Sequence, residues 1–153
     1  MDAMAVVIRF VHILAAVVAG GAAIFQWWAV RPAMAVLDEP ARAELRERIA
    51  RRWFGIVVFL AVALLATGLM NFLMFKVPEY RGHSQKAVYH AVFGVKLLVA
   101  LVVLHQATVL SAPGPRGEKR RAQPGRWNLL VAGVVIVIAL GAVLSNFGRL
   151  FSA

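Results

Sequence analysis

The chain has 153 residues, 61% of them hydrophobic, no cysteine, and a formal net charge of +10. The absence of cysteine excludes disulfides, thiolate metal sites and cysteine nucleophiles, and the length leaves room for a single domain over 1–153. A cationic excess of this size fits nucleic acid in a soluble protein, but the placement of the cations along the chain gives them another origin.

Four apolar runs, near 5–30, 53–75, 87–111 and 127–148, are each long enough to cross a hydrocarbon core about 30 Å thick. They predict an all-α integral membrane protein, a four-transmembrane-helix up-down bundle with short connections. The first run lacks a basic n-region and an A-x-A-like cleavage site, so it reads as a retained helix. Along one of its sides lie His12, Ala15, Ala16, Ala19, Ala22, Ala23 and Gln26, spaced by three and four. Small residues in that pattern let backbones approach closely in lipid, and the same seam turns His12 into the bundle.

The first loop, 31–52, carries Arg31, Arg42, Arg46, Arg48, Arg51 and Arg52. Asp38-Glu39-Pro40 followed by alternating Ala, Glu and Arg reads as a helix start that extends helix 2 as a solvated stem, with Glu44 facing Arg48 and Glu47 facing Arg51. At its far end helix 2 presents Thr67, Met70, Asn71 and Met74 on one face, and the second loop adds His83. Helix 3 descends through Tyr89, His90, Gly94 and Lys96 to His105. Lys96 sits too deep to reach an interface comfortably along its four methylenes, which favours a bundle-facing ammonium that neutralises an anion such as a porphyrin propionate. His105 lies about 22 Å from His90 along the helix, so the two share no metal ion. The third loop, 112–126, has Pro113, Gly114, Pro115, Pro124 and Gly125 among five cations and reads as a flexible connection. Helix 4 offers Gly133 and Gly141 for close packing and ends on Ser145-Asn146.

The basic loops one and three fall on one side of this threading, which predicts that they are cytoplasmic and that both termini lie outside, in a bacterial-type inner membrane. Trp27, Trp28, Trp53 and Trp127 all fall at the cytoplasmic ends of their helices, and Tyr80 and Tyr89 flank the outer loop, as interfacial aromatic belts would. No role for nucleic acid is expected. His12, Asn71, His83, His90, Lys96 and Asn146 converge toward the outer side, and polar side chains at one depth in hydrocarbon mark a functional site. No nucleophile–base pair, carboxylate pair or phosphate-binding glycine loop accompanies them, so any catalysis would rest on a cofactor.

The early His12, then Gly20-Gly21, Phe25 and Pro32, resembles the pattern of the CopD copper-resistance family. The stretch Val95-Lys96-Leu97 through His105 is similar to the related HemJ-type protoporphyrinogen oxidase family, with its third-helix lysine and first-helix histidine. The second resemblance implies a b-type heme in a four-helix bundle and transfers His12 and Lys96; the first implies copper uptake or tolerance. In the first reading, His12 ligates heme, His90 is the second axial ligand, and Lys96, Arg9 or Asn71 holds propionates, in a redox protein acting with a quinone or porphyrinogen. In the second, His12, Met70, Met74, His83 and His90 form an outward-facing copper site fed by a copper donor, thioether and imidazole being the set that suits Cu(I). A third reading is a structural subunit of a larger membrane complex, or a homo-oligomer, whose polar residues serve interhelical hydrogen bonds.

Overall fold

A computed structural model of the chain describes residues 3–151. Among them four helices are long and apolar enough to cross a membrane: α1 (Ala3–Val36), α2 (Glu39–Glu79), α3 (Lys86–Ser111) and α5 (Pro124–Ser145). Two short helices complete the fold, α4 (Pro115–Arg121) in the third connection and α6 (Phe147–Phe151) after α5. Each long helix packs on the next, and α5 returns onto α1. The result is an all-α, up-down four-helix bundle.

The bundle is apolar on its outside. On α1 the exposed residues include Val7, Phe10, Leu14 and Val17, a stripe at helical spacing, while Ile8, Ala15 and Gly20 face inward. Large aliphatic and aromatic side chains likewise cover the outer faces of α2, α3 and α5, among them Phe59, Leu98 and Ile138. Apolar surface this continuous is what a lipid solvent demands and water penalises.

Helix α2 has 41 residues, about 60 Å at the usual rise and about twice the hydrocarbon thickness. Its first turns are therefore the predicted stem. Asp38 caps it by accepting a hydrogen bond from the Ala41 N–H at 3.1 Å, with Pro40 in the first turn. The expected pairs are present on its surface, Arg48 to Glu44 at 2.6 Å and Arg51 to Glu47 at 2.9 Å.

Helices α1 and α2 each contain a widened turn near the end of their spans. The Arg31 N–H donates to the Gln26 carbonyl and the Val77 N–H to the Phe72 carbonyl, both five residues back. Each is followed at once by a proline, Pro32 or Pro78. A proline ring displaces the carbonyl four residues earlier and offers no N–H, so the turn before it opens into π geometry.

The third connection departs from the flexible loop expected of its composition. Gly114, at φ 84°, turns the chain into α4, which Pro115 starts. That helix is pinned to the α2 stem: the Gly114 N–H donates to Glu47 at 2.9 Å, and Arg46 pairs with Glu118 at 3.1 Å. Ion pairs of both senses between stem and loop, Arg46 with Glu118 and Glu47 with Arg121, order it.

Two buried clusters hold the long helices together. One joins Val103 and Leu110 of α3 to Trp127, Leu130 and Val134 of α5. The other, at the opposite end, joins Tyr80, Tyr89, Leu144 and Phe147. Tyr80 and Tyr89 are therefore buried rings stacked at 4.1 Å, and the expectation that they form an interfacial belt gives way to a role in closing that end of the bundle.

Candidate functional site at the histidine end

His12 meets α2 directly. Its Nδ1 lies 2.9 Å from Thr67 Oγ1, and the Thr67 hydroxyl donates its one proton to the Ala63 carbonyl at 2.6 Å. Thr67 can then only accept from the ring, so His12 carries its proton on Nδ1, and in the neutral imidazole the lone pair is on Nε2. The Leu64 carbonyl is a further polar neighbour of the ring. Space for the imidazole comes from Gly68, where a Cβ would stand 3.1 Å from His12 Cε1.

Lys96 approaches from α3, close enough for its charge to act on the His12 ring. Its Nζ lies over α5 at Gly141, where a Cβ would meet it at 3.3 Å. Gly141 thus accommodates the ammonium. None of the described carboxylates pairs with it; Asp38, Glu39, Glu44, Glu47, Glu79 and Glu118 all lie in the stem, the second connection's edge or α4. Arg9 reaches the same region from α1 and donates through Nε to Asn71 Oδ1 at 3.4 Å.

His90 stands nearby among aromatic rings, with Phe72 edge-on at 5.3 Å and Phe72 itself stacked on Phe93 at 3.7 Å. Its Nε2 is buried and has no hydrogen-bond partner among the described residues. Beyond it, burial in the ring stack, with Glu79 alongside, pushes the Tyr80 phenol up.

The structure thus brings the Lys96 charge to the His12 ring and joins Arg9 to Asn71, while His90 packs separately against Phe72 and Tyr89. It does not gather the copper set. His83 is exposed and rests against Tyr80 at 5.3 Å, and Met70 and Met74 are 41% and 48% exposed on the outside of α2. Among the described residues no three histidine or carboxylate side chains lie together as metal ligands. His105 is on the exposed face of α3, and Asn146 hydrogen-bonds the Ala142 carbonyl one turn back. Thr67 belongs to the site as the residue that fixes the His12 tautomer. Its depth in α2, matched to His12 in α1, was the signal for that role.

At the opposite end the bundle encloses a cavity of about 540 Å³, walled by Ala19, Ala22 and Ala23 of α1, by α2 and α3, and by Trp27, Trp53 and Trp127. Of the small residues of α1 read as close-packing positions, Gly20 lies against Val134 and Ala23 packs on the Val103–Trp127 cluster, while Ala19, Ala22 and Ala23 also border this space with three of the four tryptophans. Trp28 alone is strongly exposed, at 75%. Neither this cavity nor the apolar groove beside it is lined by a histidine or by Lys96.

A b-type heme asks for an imidazole nitrogen with a free lone pair and for cations to meet its carboxylates. The His12 imidazole and the Lys96 ammonium are groups of that chemistry. No family model, no curated protein and no solved structure matches the chain.

Proposed function

We propose that this chain is a multi-pass membrane redox protein that carries a b-type heme on His12 and exchanges electrons with a quinone or porphyrinogen. The observation that supports it is the pairing of an imidazole fixed through Nδ1–H, hence able to offer Nε2, with a lysine in the bundle that no described carboxylate neutralises. A cation held in such surroundings calls for an anion from outside the chain. Lys96, with Arg9 next in line, would hold a propionate, and His90 would be the second imidazole. Bound heme supplies one-electron chemistry, at a potential set by its axial ligands and their polar surroundings. In this reading the basic loops face the cytoplasm, and the histidine end faces outward from an inner membrane.

The test is a reduced-minus-oxidised visible spectrum of the detergent-purified protein, with copper quantified on the same sample. Sharp α and β bands on reduction that vanish in His12→Ala and persist in Met70→Ala and Met74→Ala are the expected result. A colourless protein with near-stoichiometric copper would overturn the proposal in favour of copper handling.

A further inference from the structure

The cavity at the tryptophan end has the makings of a second, separate site. Its volume of about 540 Å³ lies within the range of roughly 300–1,000 Å³ common for small-molecule pockets. Its depth is apolar, from Ala22 and Ala61 to Leu104 and Leu130. Its rim carries three guanidinium groups, those of Arg31, Arg46 and Arg121, against one carboxylate, Glu39.

The three arginines are not equivalent. Arg46 is occupied by Glu118 at 3.1 Å and Glu39 at 3.6 Å. Arg121, with only 9% of its side chain exposed, is occupied by Glu118 at 3.2 Å and Glu47 at 3.6 Å and donates to the Ala112 and Leu110 carbonyls; its Nε–H, which has no partner among the described residues, is buried. Arg31 has no carboxylate or hydrogen-bond acceptor among the described residues; its guanidinium lies 5.3 Å from the centre of the Trp127 ring. An unpaired cation, Arg31, on the wall of an apolar chamber calls for an anion there.

The chamber also has an apolar neighbour. A groove of about 330 Å³ runs along Phe25, Val30, Val36 and Leu45, and it shares Met34 and Ile49 with the chamber as common walls. A ligand whose head meets Arg31 has the apolar interior of the chamber for its chain, and the groove lies on the other side of Met34 and Ile49.

We infer that the tryptophan-end cavity binds a single-chain anionic amphiphile, its carboxylate or phosphate head at Arg31 and its chain in the chamber. This site is independent of the heme proposal. It shares no residue with the histidine end.

Because Trp27, Trp53 and Trp127 line the chamber, a bromine-labelled acyl chain that enters it quenches their fluorescence. The experiment titrates the full-length protein in nanodiscs of zwitterionic lipid with a brominated fatty acid, a brominated lysophosphatidic acid and the corresponding brominated alcohol. Saturable quenching by either anion, with at least about tenfold weaker binding of the alcohol, is expected, and the tighter of the two anions names the head group. Arg31→Gln should weaken the anion about tenfold or more and leave the alcohol unchanged. Ala22→Phe, which fills the chamber, should remove saturable quenching while the reduced-minus-oxidised spectrum stays as in the parent. Acetate or inorganic phosphate that displaces the brominated anion at equal concentration would overturn the role of the chain. Equal quenching by all three lipids, unaffected by Arg31→Gln, would overturn the site and leave only annular lipid.

Discussion

The two ends of the bundle solve the problem of polar groups in an apolar solvent in opposite ways. At the histidine end the helices close tightly on them. Gly68 and Gly141 give up side chains so that an imidazole and an ammonium fit, and Phe72 stacks on Phe93 and Tyr80 on Tyr89 at the same end. At the tryptophan end α3 and α5 pack through Val103, Leu110, Trp127, Leu130 and Val134, while alanines of α1, three indoles and Arg31, Arg46 and Arg121 line a chamber beside that cluster. A tight end fixes the orientation of one or two groups, as a metal ligand requires. An open end selects by size and charge, as a binding pocket does.

The sharpest break between the ends is the exchange of phenotypes between two variants. His12→Ala should abolish any heme absorbance and leave the quenching of the chamber tryptophans by a brominated anion unchanged, whereas Ala22→Phe should do the reverse. Loss of both signals in either variant would mean that the ends are not separable.

Thr67→Val comes next in size. It preserves shape but removes the acceptor for His12 Nδ1–H, and such partners of ligating histidines are worth about 10–100-fold in metal affinity. Heme retention should fall by that factor and recover in Thr67→Ser, measured as heme lost to apomyoglobin with time. Equal retention in Val and Ser variants would remove Thr67 from the site.

Gly68→Ala places a methyl 3.1 Å from His12 Cε1 and should cost about 1–3 kcal/mol of stability with a shifted α band, since the ring must move against α2. Gly141→Ala meets only the free end of Lys96 and should cost less. Thermal unfolding in detergent separates the two, and the opposite ranking would mean that Lys96, not His12, is the rigid group.

The stem and its pinned helix give the smallest effects. Asp38→Ala should lower stability by about 1 kcal/mol through the lost cap, read from the same unfolding transition. Glu47→Gln weakens the anchor of α4, and the Gly114 amide should then exchange its hydrogen faster while amides inside α3 do not change. Unaltered exchange at Gly114 would show that the Arg46–Glu118 pair holds α4 without help.

Much of this was legible in the residues themselves. Four long apolar runs fix four spans because a backbone in hydrocarbon must satisfy its own hydrogen bonds within a helix. Asp38-Glu39-Pro40 fixes the start of α2, since a cap and a first-turn proline act over one turn. The inward placement of His12 and Lys96 follows from the cost of polar groups in lipid. Each of these rests on local chemistry or on solvent, and both are written along the chain.

What tertiary structure alone decided depends on distances between helices. An alanine stripe is equally compatible with contact and with a gap, and only the assembled helices show both, Ala23 packing on the Trp127 cluster while Ala19 and Ala22 border the chamber. Proline and glycine in the third loop suggested freedom, but Glu47, sixty-seven residues before Gly114, orders it. The tautomer of His12 is set by Thr67, fifty-five residues away, whose own proton is committed to Ala63. Partners so remote in sequence are chosen by the packing of helices, which no local pattern encodes.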